Sequence, residues 1–301
     1  MICGPRKVEI IGVALGHGAP DPRCAEAPAA LRAAGLLPRL LAAGIDATWH
    51  ATLRPTAANS RLPLTAVAQV ARDLARHAGE SISRGCLPLV LGGDHSCAIG
   101  TWKGIAQALP GPLGLIWVDA HMDAHTPETT ESGRLHGMPL ACVLGHGDAS
   151  LTGIAGGARL DPRHVCLIGV RSYEKGEAAL LRRLGVRIFP MREIKLRGLD
   201  EVLREAREIV CNGTAGYGIS FDLDAIDPGE APGVGSPIPR GLAVADVISA
   251  LAQHASDPAL RGLEIVEYNP YLDRDAQTMA LVPAIAKALL SPQIALAFSP
   301  D

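Results

Sequence analysis

The sequence predicts an α/β fold with three layers, in which helices cover both faces of a mostly parallel sheet of about eight strands. Short apolar runs bounded by Gly or Pro alternate along the chain with Ala-, Leu- and Arg-rich stretches of helical periodicity. The apolar runs lack the polar alternation of half-exposed strands, which is typical of parallel strands buried on both faces. No repeat or linker interrupts the 301 residues, so we expect one domain over residues 1–301.

Each element is predicted from a local pattern. Continuous apolar runs that end in turn-forming or polar residues predict strands at Val8–Leu15, Leu87–Leu91, Leu113–Val118, Val165–Val170, Gly218–Phe221 and Leu263–Val266. Apolar residues spaced three and four apart predict helices at Ala29–Leu36, Thr65–Ala78, Leu180–Leu184, Glu201–Val210, Val244–His254 and Gln277–Leu290. We expect the Gly-rich stretch Gly145–Leu160 to be a mobile surface loop.

The composition excludes several classes of protein. With 48% hydrophobic and 20% charged residues, the chain can form a large core and does not resemble a disordered sequence. A net charge of -3, scattered basic residues and only 3% aromatics argue against nucleic-acid binding. No apolar run approaches the roughly 18 residues of a membrane span. Seven dispersed cysteines, with no CxxC pair and no secretory leader before them, predict reduced thiols and a cytoplasmic location.

In such folds, ligands bind beyond the carboxyl ends of the strands, so the polar residues that follow each strand are the candidate site. Directly after Leu113–Val118 the chain continues Asp119-Ala-His121-Met-Asp123-Ala-His125. Alternate residues of an extended backbone share one side. We therefore expect these Asp and His side chains to face a common crevice.

Three more strand ends supply polar groups. Asp222 and Asp224 follow the fifth predicted strand, and Glu267 follows the last. The second predicted strand is followed by Gly-Gly-Asp-His95-Ser96. Its glycines allow a tight turn from which His95 projects beyond the sheet, and Ser96 is expected to cap the helix that follows. If these strands are neighbours, their ends border one crevice.

So many carboxylates require a cation. Ionised carboxylates that share a pocket repel each other and leave uncompensated buried charge. An oxygen-rich set with two imidazoles and no thiolate suits Mn²⁺ or a similar ion better than structural zinc. Six ligands are the natural number for a pair of ions, which would support hydrolytic chemistry. The candidate metal ligands are His95, Asp119, His121, Asp123, Asp222 and Asp224.

These motifs resemble those of the ureohydrolases, the family of arginases and agmatinases, which hydrolyse guanidino groups with two manganese ions. The stretches 92–96, 119–123 and 220–228 are similar to the three family signatures and occur in the family's order. The resemblance implies one ion held by His95, Asp119, Asp123 and Asp222. It implies a second ion held by His121, Asp119, Asp222 and Asp224, so that Asp119 and Asp222 bridge the two.

Within the family, the chain most resembles the bacterial arginases. This resemblance lies in the loop 126–137 and in the segment Glu267-Tyr-Asn-Pro. This resemblance implies cleavage of L-arginine to ornithine and urea by attack of a metal-bridging hydroxide, in a homotrimer or homohexamer. It implies that His136 delivers a proton to the leaving amine and that Glu267 faces the guanidinium. The implied catalytic residues are His136, Glu267 and Asp123, and the implied substrate-binding residues are His125, Ser132, Glu174 and Glu267.

Two positions depart from the arginase pattern. Arginases usually carry Asn where this chain has His125 and Asp where it has Glu174, and both positions contact the α-amino-acid end of arginine. The alternatives therefore remain an agmatinase, a guanidinobutyrase or other guanidino-acid hydrolase, and a formimidoylglutamase. A non-catalytic binding protein on the same fold is a further alternative. The native metal also stays open, because nickel and cobalt serve some relatives.

Overall fold

The computed structural model of the chain describes residues 6–292. Within this range, eight strands form one sheet: β1 (Val8–Val13), β2 (Ala47–Leu53), β3 (Leu87–Leu91), β4 (Gly114–Val118), β5 (Val165–Ile168), β6 (Arg187–Phe189), β7 (Tyr217–Asp222) and β8 (Leu260–Val266). All neighbouring strands run parallel, in the order β2-β1-β3-β8-β7-β4-β5-β6. The predicted fold class is confirmed.

Helices cover both faces of this sheet. The described chain contains α1 (Ala27–Ala33), α2 (Leu36–Ala42), α3 (Pro63–Ser83), α4 (Ala98–Ala108), α5 (Pro139–Val143), α6 (Ala149–Thr152), α7 (Lys175–Leu184), α8 (Met191–Arg197), α9 (Leu199–Cys211), α10 (Val244–Ala252) and α11 (Gln277–Leu290). Apolar side chains of α1, α2 and α8 to α11 pack in the core on one face. Those of α3 to α7 pack in two cores on the other face.

The carboxyl ends of four central strands lie level with one another. Leu91 of β3 pairs with Ile265 of β8, Ile265 pairs with Phe221 of β7, and Phe221 pairs with Val118 of β4. Because the four strands run in the same direction, the residues that follow them leave the sheet at one edge. The polar strand ends found in the sequence are therefore neighbours in space.

The structure departs from the predicted elements at the sheet edges and near the first helix. Strands β2 and β6 have no counterpart among the predicted strands; both lie at the edges of the sheet, and their sequences lack a buried apolar run. The predicted helix Ala29–Leu36 is two helices, because Gly35 at φ 75° separates α1 from α2. The expected loop Gly145–Leu160 contains α6, and Leu151 and Ile154 within it are buried.

Two glycines admit the indole of Trp102, in α4, onto the middle of the sheet. A Cβ on Gly218 of β7 would lie 1.9 Å from Cζ3 of Trp102, and a Cβ on Gly262 of β8 would also touch the ring. The indole is fully buried, and its Nε1 donates to the carboxylate of Glu264 in β8 at 3.0 Å. A carboxyl group thus lies inside the sheet, two residues before the end of β8.

None of the described helices is both long enough and apolar enough to cross a membrane. The six cysteines in the described range are free, and the seventh, Cys3, lies outside that range.

Candidate metal centre and active site

Two strands end in the same kind of turn, and each turn presents two candidate ligands. At the end of β4, Asp119 Oδ1 accepts from the backbone N–H of His121 at 2.7 Å. At the end of β7, Asp222 Oδ1 accepts from the backbone N–H of Asp224 at 2.8 Å. An Asp side chain that bonds the amide two residues on stabilises a turn in this way. The ligands therefore converge through turns, and not through the continued extended backbone expected from their alternation.

A third strand end is shaped by glycine and by Asp94. A Cβ on Gly93 would lie 1.8 Å from the carbonyl oxygen of Leu15, so this close approach requires glycine. Asp94 is buried and accepts from the amides of Ser96 at 3.0 Å and Gly18 at 2.8 Å. The expectation that Ser96 is the cap is wrong: Asp94 supplies the capping oxygen, and Ser96 donates its hydroxyl to Asp94 as well. This turn directs His95 into the cluster.

The candidate ligands form two groups that share Asp119. In the first group, His95 Nδ1 lies 3.0 Å from Asp222 Oδ2, 3.1 Å from Asp123 Oδ2 and 3.3 Å from Asp119 Oδ2. In the second group, His121 Nδ1 lies 3.1 Å from Asp224 Oδ2 and 3.4 Å from Asp119 Oδ1. The structure thus brings together all six residues that the sequence predicts as metal ligands.

Burial and mutual repulsion perturb these carboxylates. Burial and the neighbouring carboxylates of Asp224 and Asp119 raise the pKa of Asp222 well above its usual range. Burial also raises the pKa of Asp224, to about 6, against the attraction of His121. For Asp119, burial opposes ionisation, but hydrogen bonds with His121 and His95 outweigh it and lower the pKa. A cation at the cluster would relieve the repulsion that these shifts report.

Glu267 and His136 lie beside the cluster. Glu267 directly follows β8 with φ at 65°, and its N–H donates to the carbonyl of Gly93 at 2.8 Å. Its Oε1 accepts from the N–H of His95 at 2.8 Å and lies 3.1 Å from His136 Nδ1. Burial disfavours the charged imidazole of His136, but the Glu267 carboxylate outweighs it and raises the pKa to about 9. His136 is therefore protonated at neutral pH in this arrangement.

A cleft of about 360 Å³ opens over the cluster. His125, Ser132, Glu174 and Glu177 are among the residues that line it. His125 Nε2 lies 2.9 Å from Glu174 Oε2, and its Nδ1 lies 3.2 Å from the hydroxyl of Thr129. Glu177 is buried, and burial raises its pKa to about 8. The two residues that depart from the arginase pattern thus contact each other at the entrance.

The sequence prediction missed several polar residues that support the site. Glu177 accepts from the backbone N–H of Ala124 at 3.2 Å, and its signal was its place three residues after Glu174 in a helix-capping box. Arg171 donates to backbone carbonyls beside Asp224, and its signal was its place just after β5. Glu264 gave no such signal, because it lies within an apolar run.

Comparison with known proteins identifies the family. The family model described as the arginase family matches residues 6–291. An arginase of Bacillus caldovelox is 38% identical over 298 residues, which cover 96% of this chain and 99% of that protein. An arginase of Brevibacillus brevis is 35% identical over 96% of this chain and 99% of its own length. The crystal structure of arginase from Bacillus subtilis superposes with a TM-score of 0.88 at 33% identity, covering 96% of this chain and 100% of that one. These matches extend over nearly the whole chain, including the segments that carry the candidate ligands. The chain therefore belongs to the arginase family.

Proposed function

We propose that the chain is a binuclear manganese hydrolase that cleaves the guanidino group of L-arginine to ornithine and urea. The observation that best supports this function is the convergence of four carboxylates and two imidazoles on the floor of a cleft, beside His136 and Glu267. Packing does not account for so much buried charge in one place. The relatives named above are arginases that span nearly the whole chain, which supports the same substrate.

The donor set fits divalent metal ions. It offers carboxylate oxygens and imidazole nitrogens without a thiolate, a combination that suits Mn²⁺. In this proposal one ion takes His95, Asp119, Asp123 and Asp222, and the other takes His121, Asp119, Asp222 and Asp224. When bound, the ions would lower the pKa of water to near neutrality and so supply hydroxide as the nucleophile.

Glu267 would hold the guanidinium group of the substrate. Its carboxylate is buried, and the N–H of His95 and the ring of His136 fix the position of Oε1. The second oxygen can accept from the guanidinium, and a charge-assisted pair of this kind orients the planar group. Hydrolysis then adds hydroxide to the guanidinium carbon and breaks the bond from that carbon to the amine nitrogen.

His136 would supply the proton that the leaving amine needs. Its Nδ1 faces Glu267 at 3.1 Å, so Nε2 is the nitrogen that can deliver a proton into the cleft. The pKa of about 9 keeps the imidazole protonated at neutral pH. The proton released when water ionises restores His136, and the hydroxyl proton of the adduct passes to the amine as the carbon–nitrogen bond breaks, so the products are urea and a protonated amine.

The contacts at the mouth of the cleft support a second candidate function. Ser132, His125 and Glu174 are placed to contact the end of the substrate away from the guanidinium, but His125 and Glu174 lie 2.9 Å apart and bind each other. That pairing competes with binding of the α-amino-acid end of a substrate such as arginine. The second candidate is therefore a hydrolase of another linear amidine: agmatine, guanidinobutyrate or another guanidino acid, or formiminoglutamate.

A substrate panel tests the proposal. The protein is stripped with a chelator, reloaded with Mn²⁺ and offered L-arginine, agmatine, 4-guanidinobutyrate, guanidine and formiminoglutamate in parallel. We expect urea and ornithine from L-arginine as the main products. Urea mainly from another guanidine, or formamide from formiminoglutamate, would move the assignment to the second candidate, and no product from any substrate would contradict both.

A matched pair of variants tests the metal centre. Asp222→Asn should remove bound Mn²⁺ and turnover together, because Asp222 lies at the centre of the first ligand group. Asp227→Asn is the control: its carboxylate lies nearby in sequence but accepts from the backbone amides of Gly229 and Gly241. Equal metal content and activity in the two variants would contradict the ligand assignment.

The single domain over residues 1–301 and the homotrimeric or homohexameric assembly are part of the same proposal. The first is expected because no repeat or linker interrupts the sequence, and the family match over residues 6–291 supports it. The second follows from the family resemblance. Sedimentation velocity of the full chain should give a trimer or a hexamer, and a monomer would contradict the assembly. The cytoplasmic location stays a prediction from the cysteine pattern.

A further inference from the structure

Glu264 is a buried carboxylate without an assigned role. It is 0% exposed, in the middle of β8, between β3 and β7. Thr101 donates to its Oε1 at 2.5 Å, and Cys97 Sγ lies 3.6 Å from the same oxygen. Trp102 Nε1 donates to its Oε2 at 3.0 Å, and Ser220 donates to the same oxygen at 2.6 Å. A buried carboxyl group with contacts from four donors is a built feature of the fold.

Ser220 connects Glu264 to the metal centre. Its hydroxyl lies 3.0 Å from Nε2 of His95, the ring nitrogen that faces away from the carboxylate cluster. A serine hydroxyl has one proton to donate. Because Ser220 gives that proton to the carboxylate of Glu264, it can only accept from His95, and Nε2 of His95 must carry a hydrogen.

This constraint determines which nitrogen of His95 is available to a metal. With the hydrogen on Nε2, the lone pair of the neutral ring is on Nδ1. Nδ1 is the atom that lies 3.0 to 3.3 Å from the oxygens of Asp222, Asp123 and Asp119. The indole of Trp117 stacks on the same ring, with centroids 4.1 Å apart and planes at 9°, which fixes its tilt.

We propose that Glu264 is a positioning residue that, through Ser220, fixes the tautomer of His95 and so prepares Nδ1 as a metal ligand. The proposal rests on the metal centre of the proposed function, but not on the identity of the substrate. It assigns Glu264 no contact with substrate. Outer groups of this kind typically change metal affinity about 10–100-fold when they are removed.

The test compares two variants that each remove a contact from the same carboxylate network. Glu264→Met keeps a side chain of similar length and frees Ser220 to donate to His95, which would move the ring hydrogen to Nδ1. Thr101→Val is the control, because it removes a donor to the other oxygen of Glu264 and leaves the path to His95 intact. Both variants lose a buried hydrogen bond, so both should unfold at lower temperature.

Manganese binding to the metal-stripped variants distinguishes a role of Glu264 in positioning His95 from a role in stability alone. We expect Glu264→Met to bind Mn²⁺ about 10–100-fold more weakly at one site and to show the electron paramagnetic resonance signal of an isolated ion. Thr101→Val should keep two ions per chain and the signal of a spin-coupled pair. Equal affinities in the two variants would overturn the proposal. Failure of the unaltered protein to bind Mn²⁺ would overturn the metal centre itself and the proposal with it.

A third variant decides the case in which Glu264→Met does not fold. Ser220→Ala removes only the hydroxyl that connects Glu264 with His95. It should weaken Mn²⁺ binding over the same range as Glu264→Met. Full Mn²⁺ affinity in Ser220→Ala would show that the connection has no effect on the metal centre, and the proposal would be wrong. Glu264→Gln should keep most of the affinity, because the amide oxygen can accept from both Trp102 and Ser220.

Discussion

Asp123 and Glu267 have backbone conformations that side-chain-bearing residues seldom adopt. Their φ angles are 48° and 65°, in the left-handed region, where each non-glycine residue costs roughly 1–3 kcal/mol. Both residues belong to the candidate site. Hydrogen bonds keep Glu267 in this conformation. Its N–H donates to the carbonyl of Gly93, and its carboxylate contacts the N–H of His95 and the ring of His136. The site is therefore held together by the same bonds that orient its side chains.

His136→Asn should separate proton delivery from metal binding. The amide keeps a polar group of similar reach but cannot donate a proton to the leaving amine, so we expect kcat to fall about 10²–10⁴-fold. Manganese content should stay unchanged, because His136 lies outside both ligand groups. Steady-state kinetics with L-arginine and metal analysis check both parts. A variant with unaltered kcat would exclude His136 as the proton donor.

Glu9 gives the protein a pH-dependent contribution to stability at a site remote from the cleft. Its buried carboxylate joins β1 to α3 by accepting from Ser81 and Arg84, each at 2.6 Å. Burial disfavours the ionised form, but the hydrogen bonds from Arg84 and Ser81 outweigh it and lower the pKa to about 2. The stabilisation is therefore present above the usual glutamate pKa near 4.3 and is lost as the pH falls toward 2.

Glu9→Gln tests this contribution. In metal-free protein at pH 7, the variant should lose about 1–3 kcal/mol in the free energy of unfolding, the usual range for a hydrogen bond to a charged group. Denaturant unfolding of both proteins at pH 7, 5, 4 and 3 should show the difference shrinking below pH 5. A difference that stays constant across this range would mean that the pKa of Glu9 is not lowered.

The sequence predicts site residues well where several charged residues follow an apolar strand and have no role in packing. The alternation of Asp and His from Asp119 onward follows an apolar strand and has no packing role, so its placement at the cleft was predictable. Glu264 and Ser220 were not predictable in this way. A single glutamate or serine within an apolar run does not indicate a partner, and the contacts of Glu264 with Trp102 and Ser220 depend on how α4 and β7 pack beside β8.

At the scale of elements, the central strands were predictable and the edges were not. Strands buried on both faces leave continuous apolar runs such as Leu87–Leu91, whereas β2 is partly exposed and has polar residues throughout. Strand β6 has only three residues, too few to establish a period. The separation of α1 from α2 depends on one left-handed glycine, Gly35, within a run that otherwise favours helix.

Arg171 joins three loops that border the candidate site. Its guanidinium donates to the carbonyl oxygens of Asp224 at 2.7 Å, Ala225 at 3.1 Å and Ile238 at 2.8 Å. It also reaches Gly169 just after β5, at 3.3 Å. The turn that carries Asp224 is therefore held through its backbone by a cation that follows β5, two strands away from β7 in the sheet.

Arg171→Lys should loosen this turn, because one ammonium group cannot reproduce the planar set of donors. We expect a lower unfolding temperature together with weaker Mn²⁺ binding. Arg187→Lys is the control, since Arg187 is similarly half-buried but lies on β6, at the edge of the sheet, and pairs with Glu193 of α8. Calorimetry and Mn²⁺ titration check the pair. If both variants lose only thermal stability, Arg171 does not position Asp224.

At the scale of the whole molecule, the candidate metal centre connects separate parts of the fold. Its candidate ligands follow β3, β4 and β7, and Glu267 adds the end of β8. A ligand that binds only the folded state stabilises it, by about 2.7 kcal/mol at a hundredfold excess over Kd. Removal of the metal should therefore destabilise the entire domain and not one loop.

Chelation should lower the unfolding temperature by several degrees, and added Mn²⁺ should restore it. Differential scanning calorimetry of stripped and reloaded protein gives both values. The control is Asp222→Asn, whose unfolding temperature should not respond to Mn²⁺. A response of the same size in that variant would mean that the stabilising ion binds elsewhere.

The order of strands in the sheet differs from their order in the sequence. Strands β1 to β3 form one half of the sheet and β4 to β7 the other, and β8, the last strand, lies between the halves. During translation, both halves emerge from the ribosome before residues 260–266 are made. Until then, the apolar strands β3 and β7 each have an edge without its final partner, the kind of surface that chaperones cover. A nascent chain interrupted before residue 260 thus contains all six candidate metal ligands but not the strand that lies between the two halves of the sheet.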